Sequence, residues 1–276
     1  MEGGHIKPII RWVGGKEPLC DILETQLPIT YQEEKYIPKY FEPFVGGGSF
    51  LLHLLTKGYN IPYIYISDVN KDLILLYNII RDYPDEFIQI FNDRLVDYRK
   101  TQDKETYYYN IRSNYNKNNI HLLDRAVDFV LLNKMCFNSL YRVNQKGEFN
   151  VAYNRKRVQN PKWLKEEDVN SISNALSNAH ILHSDYFTSI NFVDKSSFLY
   201  LDTPYEDSWN YNMESDNLIS FNNFCSQCHM KGARFLYSNF SNNLKASYPT
   251  YIYEIKKYHP FIRKTKDEVL VRNYEV

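Results

Sequence analysis

Residues 36–55 read YIPKYFEPFVGGGSFLLHLL, and the fold is decided there. The first ten residues are aromatic and β-branched, the signature of a strand, and they break at Gly46-Gly47-Gly48-Ser49. Phe50-Leu51-Leu52-His53-Leu54-Leu55 follows as an apolar, helix-like run, so the segment predicts strand, glycine turn, helix. Next along the chain, Tyr63-Ile64-Tyr65-Ile66 predicts a second strand that stops at Ser67-Asp68. A helix is predicted over Asp72 to Ile80, where Leu73, Leu76, Tyr77 and Ile80 recur at helical spacing. Two strand–helix units in succession point to an α/β fold with a parallel sheet.

The same pattern returns late in the chain. His180-Ile181-Leu182-His183 leads into Ser184-Asp185, Ser197-Phe198-Leu199-Tyr200-Leu201 into Asp202, and Ala233-Arg234-Phe235-Leu236-Tyr237 into Ser238-Asn239. Each is an apolar run ending in a polar residue, as buried strands of one sheet do. From about residue 82 to 162 the character differs: the segment is polar, rich in Tyr, Asn and Arg, and helical in its first part. It ends in a predicted hairpin over 138–154, turning at Gln145-Lys146-Gly147-Glu148. The chain therefore reads as an α/β domain, residues 1–75 and 163–276, interrupted by a mostly helical domain over 76–162 that carries a β-hairpin.

Composition narrows the function. Of 276 residues, 43% are hydrophobic and 24% charged, which is ordinary for a globular protein and argues against a disordered chain. The 33 basic and 33 acidic side chains cancel, so a nucleic-acid partner has to be sought in local clusters. Arg155, Lys156, Arg157, Lys162 and Lys165 form one such cluster, and Lys256, Lys257, Arg263, Lys264 and Lys266 a second. Four cysteines are too few for a disulfide scaffold. Cys225 and Cys228 have the C-x-x-C spacing, but no second pair completes a tetrahedral zinc site, and a helical turn placing two small residues on one face explains them better. MEGGHIKPIIRW at the start lacks a signal-peptide core, and no apolar run approaches the roughly 20 residues that cross a bilayer. The expectation is an intracellular, non-secreted protein without a membrane partner, cytoplasmic in a prokaryotic or viral-factory setting.

In open parallel sheets ligands bind beyond the carboxyl ends of the strands. Gly46, Gly47 and Gly48 let the backbone approach a ligand and open a helix whose N-terminus favours negative charge. Asp68 lies about 20 residues further on, the offset at which an acidic side chain reaches a ribose hydroxyl. Together they point to a nucleoside cofactor. The Walker pattern, the G-x-S-x-G elbow and the zinc-deaminase pattern are absent from the sequence. Asp202-Thr203-Pro204-Tyr205 places a carboxylate, a backbone carbonyl and a flat ring in four residues, which is what holding a planar amino-bearing ring requires. By itself such a segment is an ordinary strand-end turn.

The motifs taken in order resemble the DNA adenine methyltransferase (Dam) family along most of the chain. Arg11-Trp12-Val13-Gly14-Gly15-Lys16 resembles its N-terminal cofactor motif, and Phe41 to Ser49 its glycine motif. Ser67-Asp68-Val69-Asn70 with Asp72-Leu73 looks like its ribose-binding segment, and Arg142 to Val151 its DNA-reading hairpin. Residues 202–205 stand where the family has D-P-P-Y. The resemblance implies a Rossmann-like S-adenosylmethionine-dependent methyltransferase sheet, with 76–162 as the target-recognition domain. It implies that Trp12, Lys16, Phe44, Gly46, Gly48, Asp68, Asp185 and Tyr186 line the cofactor site. It further implies that Asp202 and the carbonyl of residue 203 accept the two amino hydrogens of the target adenine, which is flipped out of the duplex and stacked on Tyr205 after Pro204. Two acceptors draw electron density back onto a nitrogen whose lone pair is otherwise delocalised, so neither a metal nor a covalent intermediate is required.

For DNA reading, Arg142 and Leu140 match the family's guanine-reading arginine and its apolar neighbour. Phe137 and Asn138 resemble residues that fill the gap left by the flipped base, and Arg11 stands where a lysine often touches the outer guanine. Ala152 and Lys156 replace other base-proximal residues. GATC, or a site containing GAT, is the expected target, and a monomer, either alone or paired with a cognate restriction endonuclease, the expected form. Thr203 departs from the family's proline and gives up stiffness worth about 1 kcal/mol. A catalytically weak relative that acts as a sequence-specific DNA-binding protein is therefore an open alternative. So is methylation of cytosine N4, RNA or protein glutamine, although the hairpin argues for duplex DNA.

Overall fold

The computed structural model describes residues 6–117, 119–155, 163–203, 214–239, 244, 246–259 and 264–276, without the side chains of 214–218, 256–259 and 264–267. Two compact units divide the chain: residues 1–17, 46–56 and 70–177 form one, and 18–45, 57–69 and 178–276 the other.

The second unit is built on a seven-stranded sheet. Its strands are β1 (Lys39–Glu42), β2 (Tyr63–Asp68), β3 (Ala179–His183), β4 (Ser197–Asp202), β5 (Arg234–Asn239), β6 (Tyr251–His259) and β7 (Lys264–Arg272), in the order β3-β2-β1-β4-β5-β7-β6. The first five are parallel, with Phe41 opposite both Tyr65 and Leu199 and with Leu201 opposite Tyr237. The last two are antiparallel, Tyr237 facing Val271 and Tyr253 facing Leu270. β1 is shorter than the apolar run that announces it, because Pro38 and Pro43 bracket it and proline has no N–H for a ladder. The two faces alternate along each strand. Phe41, Tyr65, Leu199, Leu201, Phe235 and Tyr237 pack one way with Phe221, Phe224, Cys225 and Cys228 of helix Glu214–Met230. The two cysteines sit in that helix as buried free thiols. On the other face Phe198 meets Tyr31, Tyr40 and Tyr274 edge-on or tilted at 6.1–6.3 Å.

The first unit is helical. It comprises α3 (Ser49–Thr56), α4 (Lys71–Asp82), α5 (Pro84–Lys100), α6 (Lys104–Tyr115), α7 (Leu122–Met135) and α8 (Glu166–Leu176), numbered after the short helices α1 (Cys20–Thr25) and α2 (Ile29–Glu34) of the sheet unit. Asn70 caps α4 through the N–H groups of Asp72 and Leu73, and Asp103 caps α6 through those of Glu105 and Thr106. Pro84 at the first turn of α5 fits a position that needs no donor. α7 is the centre: Ala126 to Asn133 are all buried, with α4, α5 and α6 packed around it.

Beyond α7 the chain forms an antiparallel arm. Cys136 pairs with Tyr153 and Val143 with Phe149, while backbone bonds run from Phe137 N to Ala152 O and from Asn150 N to Arg142 O. The turn is set by Asn144, whose Oδ1 accepts from the N–H groups of Lys146 and Glu148, and by Gly147 at φ 77°.

Candidate active site

In the sheet unit, β3, β2, β1 and β4 are parallel neighbours, so their carboxyl ends lie on one edge. Phe44 follows β1, Asp68 ends β2, Asp185 and Tyr186 follow β3, and Asp202 ends β4 with Thr203 directly after it. Backbone bonds stitch this edge together: Val45 N donates to Ser67 O at 3.0 Å, and Ser184 N to Asp68 O at 3.3 Å. Asp185 caps the 3-10 turn Tyr186–Asn191 by accepting from Phe187 N at 2.8 Å, which commits one of its oxygens. Tyr186 lies stacked on Phe44, centroids 5.2 Å apart at 27°. Burial, then the neighbouring Asp185 charge, pushes its hydroxyl up to about 12. Two buried hydroxyls on the same edge, Ser67 Oγ and Ser184 Oγ, have no hydrogen-bond partner among the described residues. Buried polar groups are normally paired, so two hydroxyls without a partner among the described residues fit a polar ligand at these strand ends.

The end of β4 is supported from β5. Ser238 Oγ donates to Asp202 Oδ1 at 3.1 Å and lies 3.1 Å from the Tyr200 hydroxyl. Asn239 Nδ2 donates to Thr203 Oγ1 at 3.1 Å and to the Tyr237 hydroxyl at 2.8 Å. Thr203 and Asn239 are each only 5% exposed. The threonine hydroxyl is thus a bonded part of the turn, in a way that proline could not reproduce. Pro204 and Tyr205 lie outside the described residues.

In the helical unit, Trp12 lies against the glycine turn. Gly46 has φ 47°, and a Cβ there would stand 2.8 Å from Trp12 Cδ1, so both the backbone conformation and the space require glycine. Gly48 also has positive φ, 66°. The Gly46 carbonyl accepts from the Tyr77 hydroxyl at 3.0 Å. Lys16 is buried, its Nζ 3.4 Å from Gly14 O.

The DNA-reading candidates of this unit fall into two groups. Buried Asn133 accepts from Arg11 N at 3.1 Å, and its Nδ2 donates to Arg11 O at 2.9 Å and to Ser139 O at 3.1 Å. This brings Arg11 to the turn of Phe137 and Asn138. Asn138 and Ser139 both have φ 54°, a left-handed pair that thrusts Phe137 out, 52% exposed. Leu140 and Arg142 lie further along the arm. The Arg142 guanidinium donates from Nε to Asn150 Oδ1 at 2.8 Å. Arg155 stands apart, held in a two-bond pair with Glu105 at 2.8–2.9 Å. Lys156 lies outside the described residues, as do Arg157 and Lys162. Lys256, Lys257, Lys264 and Lys266 fall in β6 and β7, while Arg263 is outside the described residues.

A family model described as D12 class N6 adenine-specific DNA methyltransferase matches residues 12–266. The chain belongs to this family. It is 36% identical over 252 residues to the Type II methyltransferase M.MjaIII of Methanocaldococcus jannaschii, a match covering 86% of each chain. It is 33% identical over 199 residues to the DNA adenine methylase of Escherichia coli K12, covering 72% of this chain and 65% of that one. To the Type II methyltransferase M1.LlaDCHI of Lactococcus lactis it is 31% identical over 206 residues, 73% of this chain and 66% of that one. This methyltransferase thus has the mixed α/β architecture expected of its family, and its enzyme class is adenine-specific DNA methylation. Among the described residues no helix is long and apolar enough to cross a membrane.

Sequence reading does not single out Ser238, Asn239, Asn133 or Asn150, each of which holds a candidate residue from elsewhere in the chain. Ser238 and Asn239 stand out only as the polar end of a strand, Asn150 only as a member of the hairpin segment, and Asn133 carries no signal.

Proposed function

We propose that this methyltransferase carries a methyl group from S-adenosylmethionine to N6 of adenine in duplex DNA, at GATC, with the base rotated out of the helix. The observation that carries the reading is the carboxyl edge of the sheet. Phe44, Asp68, Asp185, Tyr186, Asp202 and Thr203 share it with the Ser67 and Ser184 hydroxyls, which have no partner among the described residues.

Asp68 holds the cofactor's ribose, Phe44 and Tyr186 supply the apolar face for its adenine, and Asp185 sits at the rim. In the helical unit Trp12, Lys16, Gly46 and Gly48 are the proposed cofactor contacts. When bound, S-adenosylmethionine supplies an electrophilic methyl group on a sulfonium. The Asp202 carboxylate accepts one hydrogen of the target amino group, and the carbonyl of Thr203 accepts the other. Both acceptors are held before the substrate arrives, Asp202 by Ser238 and Thr203 by Asn239, which is the preorganisation that such electrostatic help depends on. Pro204 and Tyr205, outside the described residues, are assigned to the same motif, with Tyr205 stacking on the base.

Residues 76–162 act as the target-recognition domain and the remainder as the catalytic domain. Arg142 reads guanine with Leu140 beside it, Phe137 and Asn138 fill the space the adenine leaves, and Arg11 touches the outer guanine. Arg155 and Lys156 are assigned to phosphates, and Arg155 exchanges Glu105 for DNA on binding. The protein works as a monomer, and a restriction endonuclease of the same specificity is a natural companion. A binding-only role rests on Thr203 alone, and the bond from Asn239 weighs against it.

Digestion of the methylated duplex to nucleosides followed by mass analysis tests the reaction. N6-methyl-2′-deoxyadenosine as the product supports it. N4-methyl-2′-deoxycytidine, or no modified nucleoside despite bound cofactor, overturns it.

A further inference from the structure

Helix α4 contributes two polar side chains to one closed circuit. Asp72, 3% exposed, accepts from Arg125 Nε at 2.7 Å and Nη2 at 3.1 Å, from the Tyr115 hydroxyl at 2.7 Å and from the Tyr141 hydroxyl at 3.1 Å. Tyr141 lies stacked on Trp12, centroids 5.7 Å apart at 28°, and both rings stand edge-on to Phe129. Trp12 fills the space that a side chain at Gly46 would need, and the Gly46 carbonyl returns to α4 through Tyr77. Tyr141 is followed directly by Arg142.

Each link constrains something different. The Arg125 pair and the Tyr115 bond neutralise and solvate the buried carboxylate, which a structural role alone requires. Tyr141 is an additional donor, and it comes from the arm. Burial works to raise the Asp72 carboxyl, but the Arg125 and Tyr115 hydrogen bonds, the Arg125 charge and the Tyr141 bond together hold it below its ordinary range. Tyr141 is driven the other way, up to about 12, by burial and then by the Asp72 charge. An ionised acceptor facing a protonated phenol makes a charge-assisted bond, stronger and more directional than a neutral one. Ring stacking lets Tyr141 slide over Trp12 at little cost, whereas the bond to Asp72 sets where along that face it stops.

We propose that Asp72 is a positioning residue for DNA recognition: through Tyr141 it sets the root of the arm, and hence Arg142, in register with Trp12 and the glycine turn. The inference rests on the reading of Arg142 as the guanine-reading residue. α4 thereby joins the segment assigned to DNA reading to the segment assigned to the cofactor. Loss of the tether leaves Arg142 able to reach DNA but no longer aimed, so wrong sites are penalised less.

The test uses the full chain with Tyr141→Phe, which keeps the ring and removes the tether, alongside Asp72→Asn and Arg142→Ala. The readout is the ratio of kcat/KM on a GATC duplex to that on a duplex altered at one guanine of the site. Thermal midpoint and the S-adenosylmethionine dissociation constant without DNA are measured in parallel. Tyr141→Phe is expected to lower the ratio about fivefold or more, while the midpoint shifts by only a few degrees and cofactor affinity stays within about twofold. Asp72→Asn, if folded, lowers the ratio at least as far. A ratio within about twofold of wild type in folded Tyr141→Phe overturns the proposal. If Arg142→Ala also leaves the ratio unchanged, the reading of Arg142 itself fails. Absence of turnover in the wild type overturns the functional reading and this inference with it.

Discussion

Replacing Thr203 by proline gives residues 202–205 the D-P-P-Y of the motif they resemble, and on sequence grounds it would be expected to stiffen the turn and speed the reaction. The surroundings of Thr203 predict the reverse. Its hydroxyl accepts from Asn239 across β4 and β5, both residues being 5% exposed. Proline removes that acceptor and leaves the amide with the Tyr237 hydroxyl. Losing a hydrogen bond between buried neutral groups costs about 1 kcal/mol, and up to about 3 kcal/mol if the donor finds no substitute. The compensating gain from proline is roughly 0.4–1 kcal/mol, and it comes from restricting the unfolded chain rather than from placing the carbonyl of residue 203. Stability should therefore change by less than about 1 kcal/mol, while kcat falls about fivefold as the turn loses its anchor. Thr203→Val, which removes the acceptor without stiffening the chain, should slow turnover similarly. Steady-state methyl transfer with the DNA and cofactor both saturating measures kcat directly. A Thr203→Pro enzyme as fast as wild type or faster refutes the argument, because the Asn239 bond would then contribute nothing to catalysis.

Gly46→Ala imposes a side chain on a left-handed residue and sets its Cβ 2.8 Å from Trp12, so a stability loss of about 2 kcal/mol is expected in urea unfolding; a change under about 0.5 kcal/mol contradicts it. Asp128 is buried in α7 with Arg94 Nε 3.5 Å away, too far for a good hydrogen bond, and burial raises its carboxyl to about 6 despite the Arg94 charge. With its folded value above the unfolded one, ionised Asp128 opposes folding at high pH, and the penalty fades as pH falls from about 6 toward 4. Asp128→Asn should thus be more stable than wild type by about 2–3 kcal/mol at pH 8 and by little near pH 4; equal unfolding midpoints at pH 8 argue against it. Arg142→Ala should cost about 1–3 kcal/mol of discrimination at the guanine it reads, checked by competition between GATC and altered duplexes, and uniform weakening on all duplexes would make it a phosphate contact instead.

The parallel strands were legible because each is an apolar run ending in a polar residue, and those polar ends proved to share one edge of the sheet. Their lengths were less so: β1 is cut to Lys39–Glu42 by the prolines on either side of it. β6 and β7 are not legible as strands because their charged residues, among them Lys256, Lys257, Lys264 and Lys266, read as a basic cluster for a nucleic-acid partner. They are an antiparallel pair whose inward residues, Val269 to Val271, form only a short apolar island. Helix α4 was legible from its apolar spacing, whereas α5 and α6 were visible only as a polar, partly helical stretch, since they bury few residues each. At the site, residues in local motifs could be named, while those that support them could not. Asn239 meets Thr203 across 36 residues, Asn133 meets Arg11 across 122, and Arg125 meets Asp72 across 53. No local pattern encodes such a partner. The pairing of Arg155 with Glu105, 50 residues away, was equally hidden and makes a presumed phosphate contact half of an ion pair.

The most direct measurement is tritium transfer from S-adenosylmethionine to matched duplexes that differ only in whether they contain GATC. Counts confined to the GATC duplex are the predicted result and join reaction and specificity in one experiment. Equal counts in both contradict the assignment of the site, and no counts in either, with cofactor bound, contradict the account of the turn at Asp202 and Thr203.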